Sequence, residues 1–489
     1  MYNSIQSNPL LNLFPEEDID KIHAASLELL ERTGVEIHHP RALELLDDAG
    51  ARIHDGDLVK FPSHLIQEAV SSAPERVTVA DRLGERTLFL EGSNVYYGTG
   101  SDLKYTYDVE TGERRPSTLQ DIEMSARVAD GLKNIDFLLT YAMANELDQE
   151  VVDLHHFYAM TKNSVKPMVL TPFSSGTTKT MLKGIYEVAT EIAGGERELE
   201  SNPFIILYGQ FTSPFQHGEM DLERLLFCSD HNLPIVYAPT IMASASGPAT
   251  LAGSLAIGNA EILAGLTISQ LNNPGAPFIY GGHVAPLDPR TSVFSYGNPE
   301  WHMSSAALMQ LSNRYRLPSW STGGCTDSKL FDGQAVGEAV YSILLSGLSG
   351  ANLVHDVGYL ESGLAGDLNY VAALDEFIGL TRKILSGYSV DEERLAVDLI
   401  DELGPGGDFL SQRHTVEHFK EETWIPGLLD RQGYMSWEQE GAKTFKERAN
   451  EKVEDIIENH EPEEIAGDKR EKIEEIIART SEKARQKAR

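Results

Sequence analysis

Eight times between residues 94 and 358 the chain repeats one unit: a short apolar stretch, rich in β-branched and aromatic residues, that ends in Gly, Ser, Thr, Asn, His or Asp. The stretches are 94–99, 136–144, 167–173, 203–210, 234–240, 277–283, 318–324 and 352–358. Nearly continuous apolar runs suit parallel strands covered on both faces. Helical patterns separate them, notably 117–131, 177–193, 219–231, 249–271, 299–315 and 332–349. Eight such units in series point to the α/β class and to a (β/α)8 TIM barrel. In that fold the active site lies where strands end, so the polar tail of each unit becomes a candidate for chemistry.

The remaining sequence sorts around that core. An N-terminal helical region is expected at 1–93, with helices near 18–33, 40–49 and 62–72, then the barrel at 94–365 and a C-terminal helical extension at 366–489. Residues 104–115 read as a polar hairpin, and 439–489, dense in Glu, Lys and Arg, as an exposed helix or arm frayed at its end. Its acidic helices are available to a second subunit, so a homo-oligomer is among the expectations. The net charge of -34, from 75 acidic against 41 basic residues, excludes nucleic acid as a partner. It reads as a solvated acidic surface suited to a salt-rich habitat. Cys228 and Cys325 are too few and too far apart for a disulfide framework. No secretory pattern opens the chain and no uncharged span of ~20 residues stands out, so a cytoplasmic protein without membrane contact is expected.

The first unit ends in Tyr96, Tyr97, Gly98, Thr99, Gly100, Ser101 and Asp102. Two tyrosines and a carboxylate at a strand end suggest an aromatic cage closed by one anion, which would hold a quaternary ammonium group by cation–π attraction. The plainer reading is a glycine-rich turn with one core tyrosine. The seventh unit ends in Gly323, Gly324, Cys325, Thr326, Asp327, Ser328 and Lys329; there Asp327 and Ser328 read most simply as caps of the helix near Asp332. The eighth ends in His355 and Asp356, and His355 is the candidate catalytic residue. His283, Tyr208 and Gln210, at the ends of the sixth and fourth units, are candidate pocket-lining residues. No compact zinc spacing exists, leaving only a dispersed Cys325 and His355 pair, so no metal is expected; phosphate-binding glycine motifs are also missing.

Several stretches together resemble the trimethylamine methyltransferase family. They are ERTGVEIHHPRALELLDDAGA at 31–51, APERVTVADR at 73–82, YYGTGSD at 96–102, PLDPRTSVFSYGNPE at 286–300, STGGCTDSKLFDGQA at 321–335 and NLVHDVGYLESG at 352–363. The resemblance covers roughly residues 15–460. It implies a barrel methyltransferase that moves a methyl group from an amine to the Co(I) of a separate corrinoid protein, with no tightly bound cofactor of its own. Founding members carry pyrrolysine near the motif at 321–335; this chain uses only the twenty ordinary residues. It therefore resembles the pyrrolysine-free branch, which demethylates quaternary amines. Glycine betaine is the expected substrate, with proline betaine, carnitine or trimethylamine, and a non-catalytic betaine-binding protein, as alternatives. On this resemblance Tyr97 and Asp102 would contact the trimethylammonium and His355 would orient a substrate carboxylate or adjust the cobalt side. The corrinoid should come in trans, since Asp153-Leu-His155-His-Phe-Tyr158 only begins like a corrinoid-carrier signature and ends in Tyr where that signature has Gly.

Overall fold

A computed structural model describes residues 10–171 and 179–488. Each of the eight apolar stretches contains one barrel strand: β1 Tyr96–Thr99, β2 Leu138–Leu139, β3 Met168–Leu170, β4 Ile205–Gln210, β5 Ile235–Ala238, β6 Phe278–Gly281, β7 Ser319–Thr322 and β8 Leu353–Val357. They lie in the order β1-β8-β7-β6-β5-β4-β3-β2, with every pairing parallel. A bridge between Gly98 and Phe137, and the Asp136 amide donating to the Tyr97 carbonyl at 2.7 Å, close the ring. The tail of the third stretch (172–173) and the first residues of the expected helix at 177–193 (177–178) lie outside the described residues.

Each strand is followed by a helix: α1 Leu119–Gly131, α2 Val152–Asn163, α3 Lys179–Ala193, α4 Glu219–Asp230, α5 Leu251–Asn272, α6 Pro299–Tyr315, α7 Gly333–Leu348 and α8 Leu368–Ser386. The eighth helix falls inside the segment expected to form the C-terminal extension. By length and composition α5 could cross a membrane, contrary to the expectation that no such span exists, yet 78% of its most apolar window is buried in the fold. It carries the buried Glu261, whose carboxylate accepts from the Ser213 hydroxyl at 2.9 Å. The Asp153–Tyr158 stretch sits within α2, with Asp153 and His156 buried, as structural residues do.

Strand phase divides the core in two. Tyr96, Phe137, Leu139, Val169, Ile206, Tyr208, Val236, Ala238, Ile279, Trp320 and Leu353 point into the barrel, while Tyr97, Leu138, Met168 and Leu207 belong to the layer between strands and helices. The interior group is completed from below by Val77, Val79, Leu88 and Leu90. These come from an antiparallel hairpin, Val77–Ala80 with Arg86–Leu90, that plugs the N-terminal end of the barrel. Burying each large side chain there stabilises the fold by roughly 1.5–3 kcal/mol. The N-terminal region has its three expected helices, Glu16–Arg32, Pro40–Asp48 and Ser63–Ser72, but also this hairpin and strands at Val35–Ile37, Arg52–His54 and Leu58–Lys60.

The expected exposed C-terminal arm is instead a clasp. Helix Phe445–Asn459 packs on α8 and α1, and Gly467–Ala488 packs on α3. The sparse isoleucines are the contacts: Ile456, Ile473 and Ile477 are buried.

Candidate active site

Beyond the barrel's C-terminal end two small sheets rise as walls. After Pro239 and Gly282 the chain continues from β5 and β6 as Thr240–Ala243 and His283–Pro286, which pair in parallel. On the side of β8 and β1, strands Tyr359–Leu360 and Ala365–Gly366 join the predicted polar hairpin, observed as Tyr105–Tyr107 and Arg114–Pro116. Between the walls lies a cavity of about 760 Å³. Trp320 and Tyr208 reach it from inside the barrel, Tyr359 from the wall strand and Phe294 and Tyr296 from a loop. Trp320 lies 5.7 Å from the Tyr208 ring, and Tyr359 meets Tyr296 edge-on at 5.8 Å.

Two carboxylates share this aromatic enclosure. Asp102 and Asp356 follow or end β1 and β8 with φ of 69° and 77°, a left-handed backbone that few non-glycine residues adopt. Asp102 accepts from the Thr171 hydroxyl at 2.8 Å, and Asp356 from the Thr322 hydroxyl at 2.6 Å. Among the described residues neither is hydrogen-bonded or ion-paired to a lysine or arginine. Burial pushes the Asp102 carboxyl well above its ordinary range, and the nearby charge of Asp356 adds to this. Burial likewise raises Asp356 to about 6. The Tyr208, Tyr296 and Tyr359 hydroxyls are raised first by burial and then by these same two carboxylates, so the five groups sit close together.

His355 stands beside them, its ring 4.2 Å from Trp320 and 5.3 Å from His283. Its Nδ1 lies 2.7 Å from the Ser321 carbonyl, which can only accept, so that nitrogen carries the hydrogen. Nε2 then faces Asp356 Oδ1 at 3.1 Å. Burial lowers His355 to about 3 and His283 to about 4, so both rings are neutral at physiological pH. His283 Nε2 reaches the Tyr208 hydroxyl at 3.3 Å, while its Nδ1 and the Trp320 Nε1 are buried without a partner among the described residues.

The cavity therefore gathers Asp102, His283, Tyr208, Gln210 and His355 from the sequence-based candidates. Gln210 is at the rim, its amide donating to the Thr240 hydroxyl at 2.9 Å. Tyr96 and Tyr97 must be corrected. Tyr96 points down the barrel, where its hydroxyl accepts from the Phe89 amide of the floor hairpin at 3.1 Å. Tyr97 points outward, its hydroxyl donating to the Ile343 carbonyl of α7 at 3.0 Å. Cys325 does not line the cavity either; its thiol turns toward the Tyr296 carbonyl at 3.6 Å.

A family model, trimethylamine methyltransferase (MTTB), matches residues 1–484. The chain belongs to the trimethylamine methyltransferase family. The glycine betaine methyltransferase of Desulfitobacterium hafniense (strain Y51) is 32% identical, over 93% of this chain and 94% of that protein. The trimethylamine methyltransferase MttB of Desulfitobacterium hafniense (strain DSM 10664 / DCB-2) is 31% identical, over 92% and 90%. The crystal structure of the hydroxylamine MtmB complex shares the fold at a TM-score of 0.50 and 12% identity, over 93% of this chain and 90% of that one.

Several cavity residues of this methyltransferase escaped the sequence reading. Asp356 and Trp320 stood in the two right strand tails but were passed over for their neighbours, and Phe294 and Tyr296 lie in the non-periodic stretch 286–300. Asp327 was read as a helix cap, but the cap is Asp332, which accepts from the Gln334 and Ala335 amides. Asp327 instead ties the 295–296 segment to the end of β7, accepting from the Tyr296 amide at 2.7 Å and from the Ser295 hydroxyl. The glycines of the first tail have a packing role: a Cβ on Gly100 would overlap the Tyr359 ring, whose hydroxyl accepts from the Ser101 amide at 2.7 Å. Tyr97→Phe in this methyltransferase is expected to leave turnover and substrate affinity unchanged. It should lower stability by about 1 kcal/mol, the worth of one buried hydrogen bond, in parallel urea-melt and activity measurements.

Proposed function

We propose that this methyltransferase takes a methyl group from a quaternary amine, glycine betaine foremost, and passes it to the Co(I) of a separate corrinoid protein, releasing dimethylglycine. The observation that carries this reading is the pair Asp102 and Asp356, buried among aromatic faces with no lysine or arginine paired to them among the described residues. Buried carboxylates left without a countercharge call for a cationic ligand. Aromatic faces suit a cation that cannot donate hydrogen bonds. The likeness to a glycine betaine methyltransferase over 93% of the chain supports the same substrate class.

The chemistry follows from the fixed charge. When cobalt's electron pair forms the new bond to the methyl carbon, the C–N pair returns to nitrogen and a neutral tertiary amine departs. No acid is needed at the leaving nitrogen, in keeping with two histidines held neutral by burial. What the chain supplies is position and exclusion of water. Asp102, Asp356 and the rings of Trp320, Tyr208, Tyr296 and Tyr359 would hold the ammonium head with one methyl toward the mouth. A strongly reducing acceptor supports a cytoplasmic setting.

The test is spectroscopic. Cobalamin reduced to Co(I), mixed with the protein and glycine betaine, proline betaine or carnitine, is expected to convert to methylcobalamin. Failure with every quaternary amine, for free cobalamin and for a corrinoid protein alike, would overturn the reading.

A further inference from the structure

The cavity places unpaired carboxylates at its inner end and a lysine at its mouth. At the inner end are Asp102 and Asp356, which lack cationic partners among the described residues. Toward the mouth the other carboxylates are already satisfied. Asp327 accepts from the Tyr296 amide and the Ser362 hydroxyl, both at 2.7 Å, and from the Ser295 hydroxyl. Glu361 receives a two-pronged contact from Arg114 at 2.7 and 2.8 Å, and Asp288 is paired with Arg290 at 3.0 Å. Glu361 and Asp288, each paired with an arginine, therefore add little net charge to the rim, while Asp327 keeps its own.

Lys329 is the single lysine or arginine among the described residues that line the cavity. Its Nζ donates to the backbone carbonyl of Asp327 at 2.8 Å, and among the described residues no carboxylate forms an ion pair with it. Its base is fixed, because the Tyr107 hydroxyl donates to the Lys329 carbonyl, while the side chain itself remains exposed and long enough to swing. An ammonium has three donors, so two stay available to a ligand. Unpaired carboxylates at the inner end and an ammonium group at the rim are together the complement of a short zwitterion entering head first.

We infer that Lys329 reads the carboxylate of the substrate, which makes the site specific for betaines over quaternary amines that lack an acid group. The inference rests on the quaternary-amine reading above and extends it from the head of the substrate to its tail. Charge-assisted hydrogen bonds between an ammonium and a carboxylate are the stronger kind, and at a partly solvated rim such a pair changes affinity by about tenfold.

Calorimetric titration of the full-length protein with glycine betaine and with choline separates the two claims. Wild type is expected to bind glycine betaine at least about tenfold more tightly than choline. Lys329→Gln should remove that preference, weakening glycine betaine by about tenfold and holding choline equally or more tightly, since a positive charge near the ammonium head is gone. Lys329→Arg should keep most of the preference, and in turnover Lys329→Gln should raise KM far more than it lowers kcat. Unchanged glycine betaine affinity in Lys329→Gln, or equal weakening of both ligands, would overturn the role of Lys329 while leaving the quaternary-amine site standing. A wild type that binds neither ligand would overturn the quaternary-amine reading itself.

Discussion

Asp356→Asn is expected to weaken glycine betaine binding by about 100-fold, the cost of removing one desolvated charge partner, and at the same time to make the unliganded protein more stable. The two effects have one cause. Burial holds the Asp356 carboxyl at about 6, above the ~3.9 of an unfolded chain. A proton bound more tightly in the folded state adds stability that is fully present below ~3.9 and lost as pH rises to about 6. At neutral pH the loss comes to about 3 kcal/mol, and an uncharged asparagine escapes it. Substrate cation compensates the same charge, so wild-type affinity should rise as pH increases through about 6, while the Asn variant should show a flat profile. Titration calorimetry and thermal melts between pH 5 and 8 measure both. Wild-type affinity in the variant would remove Asp356 from the site.

The second large effect is expected from His355→Ala, which should lower kcat/KM by about 100-fold through misplacement rather than lost proton transfer. His355 is neutral, anchored to the Ser321 carbonyl, and meets both Asp356 and the Trp320 face. Removing it frees the carboxylate and the indole that, on the proposed function, would grip the substrate head. The melting curve should stay cooperative, since the Ser321 carbonyl and Asp356 can take water in the space left. A wild-type rate would show that the ring has no part in positioning.

The barrel was legible because eight apolar runs, each buried on both faces, are hard to place in any other fold. The same burial hid the phase of each strand. Tyr96 and Tyr97 are both enclosed, so hydropathy alone does not tell that one faces the floor and the other α7. Asp102, His283, Tyr208, Gln210 and His355 were found because residues at or just beyond strand ends reach the cavity. Asp356 was masked by its neighbour: a strand-end aspartate normally points away from a preceding inward residue, and only its left-handed backbone turns it back. Phe294 and Tyr296 lie in a segment held by Asp327 rather than by periodic structure, so no repeat marked them. The floor hairpin at 77–90 was missed because its apolar positions are few and closely spaced.

That hairpin sets the order of traffic. With Val77, Val79, Leu88 and Leu90 sealing the lower end, the cavity is a cul-de-sac among the described residues, and its mouth serves for entry and exit alike. On the proposed function, an acceptor protein seated on that mouth would shut the amine inside until it left. Substrate would then have to board before the acceptor docked, and the spent amine could disembark only after the acceptor had gone. Every turnover would then run last in, first out.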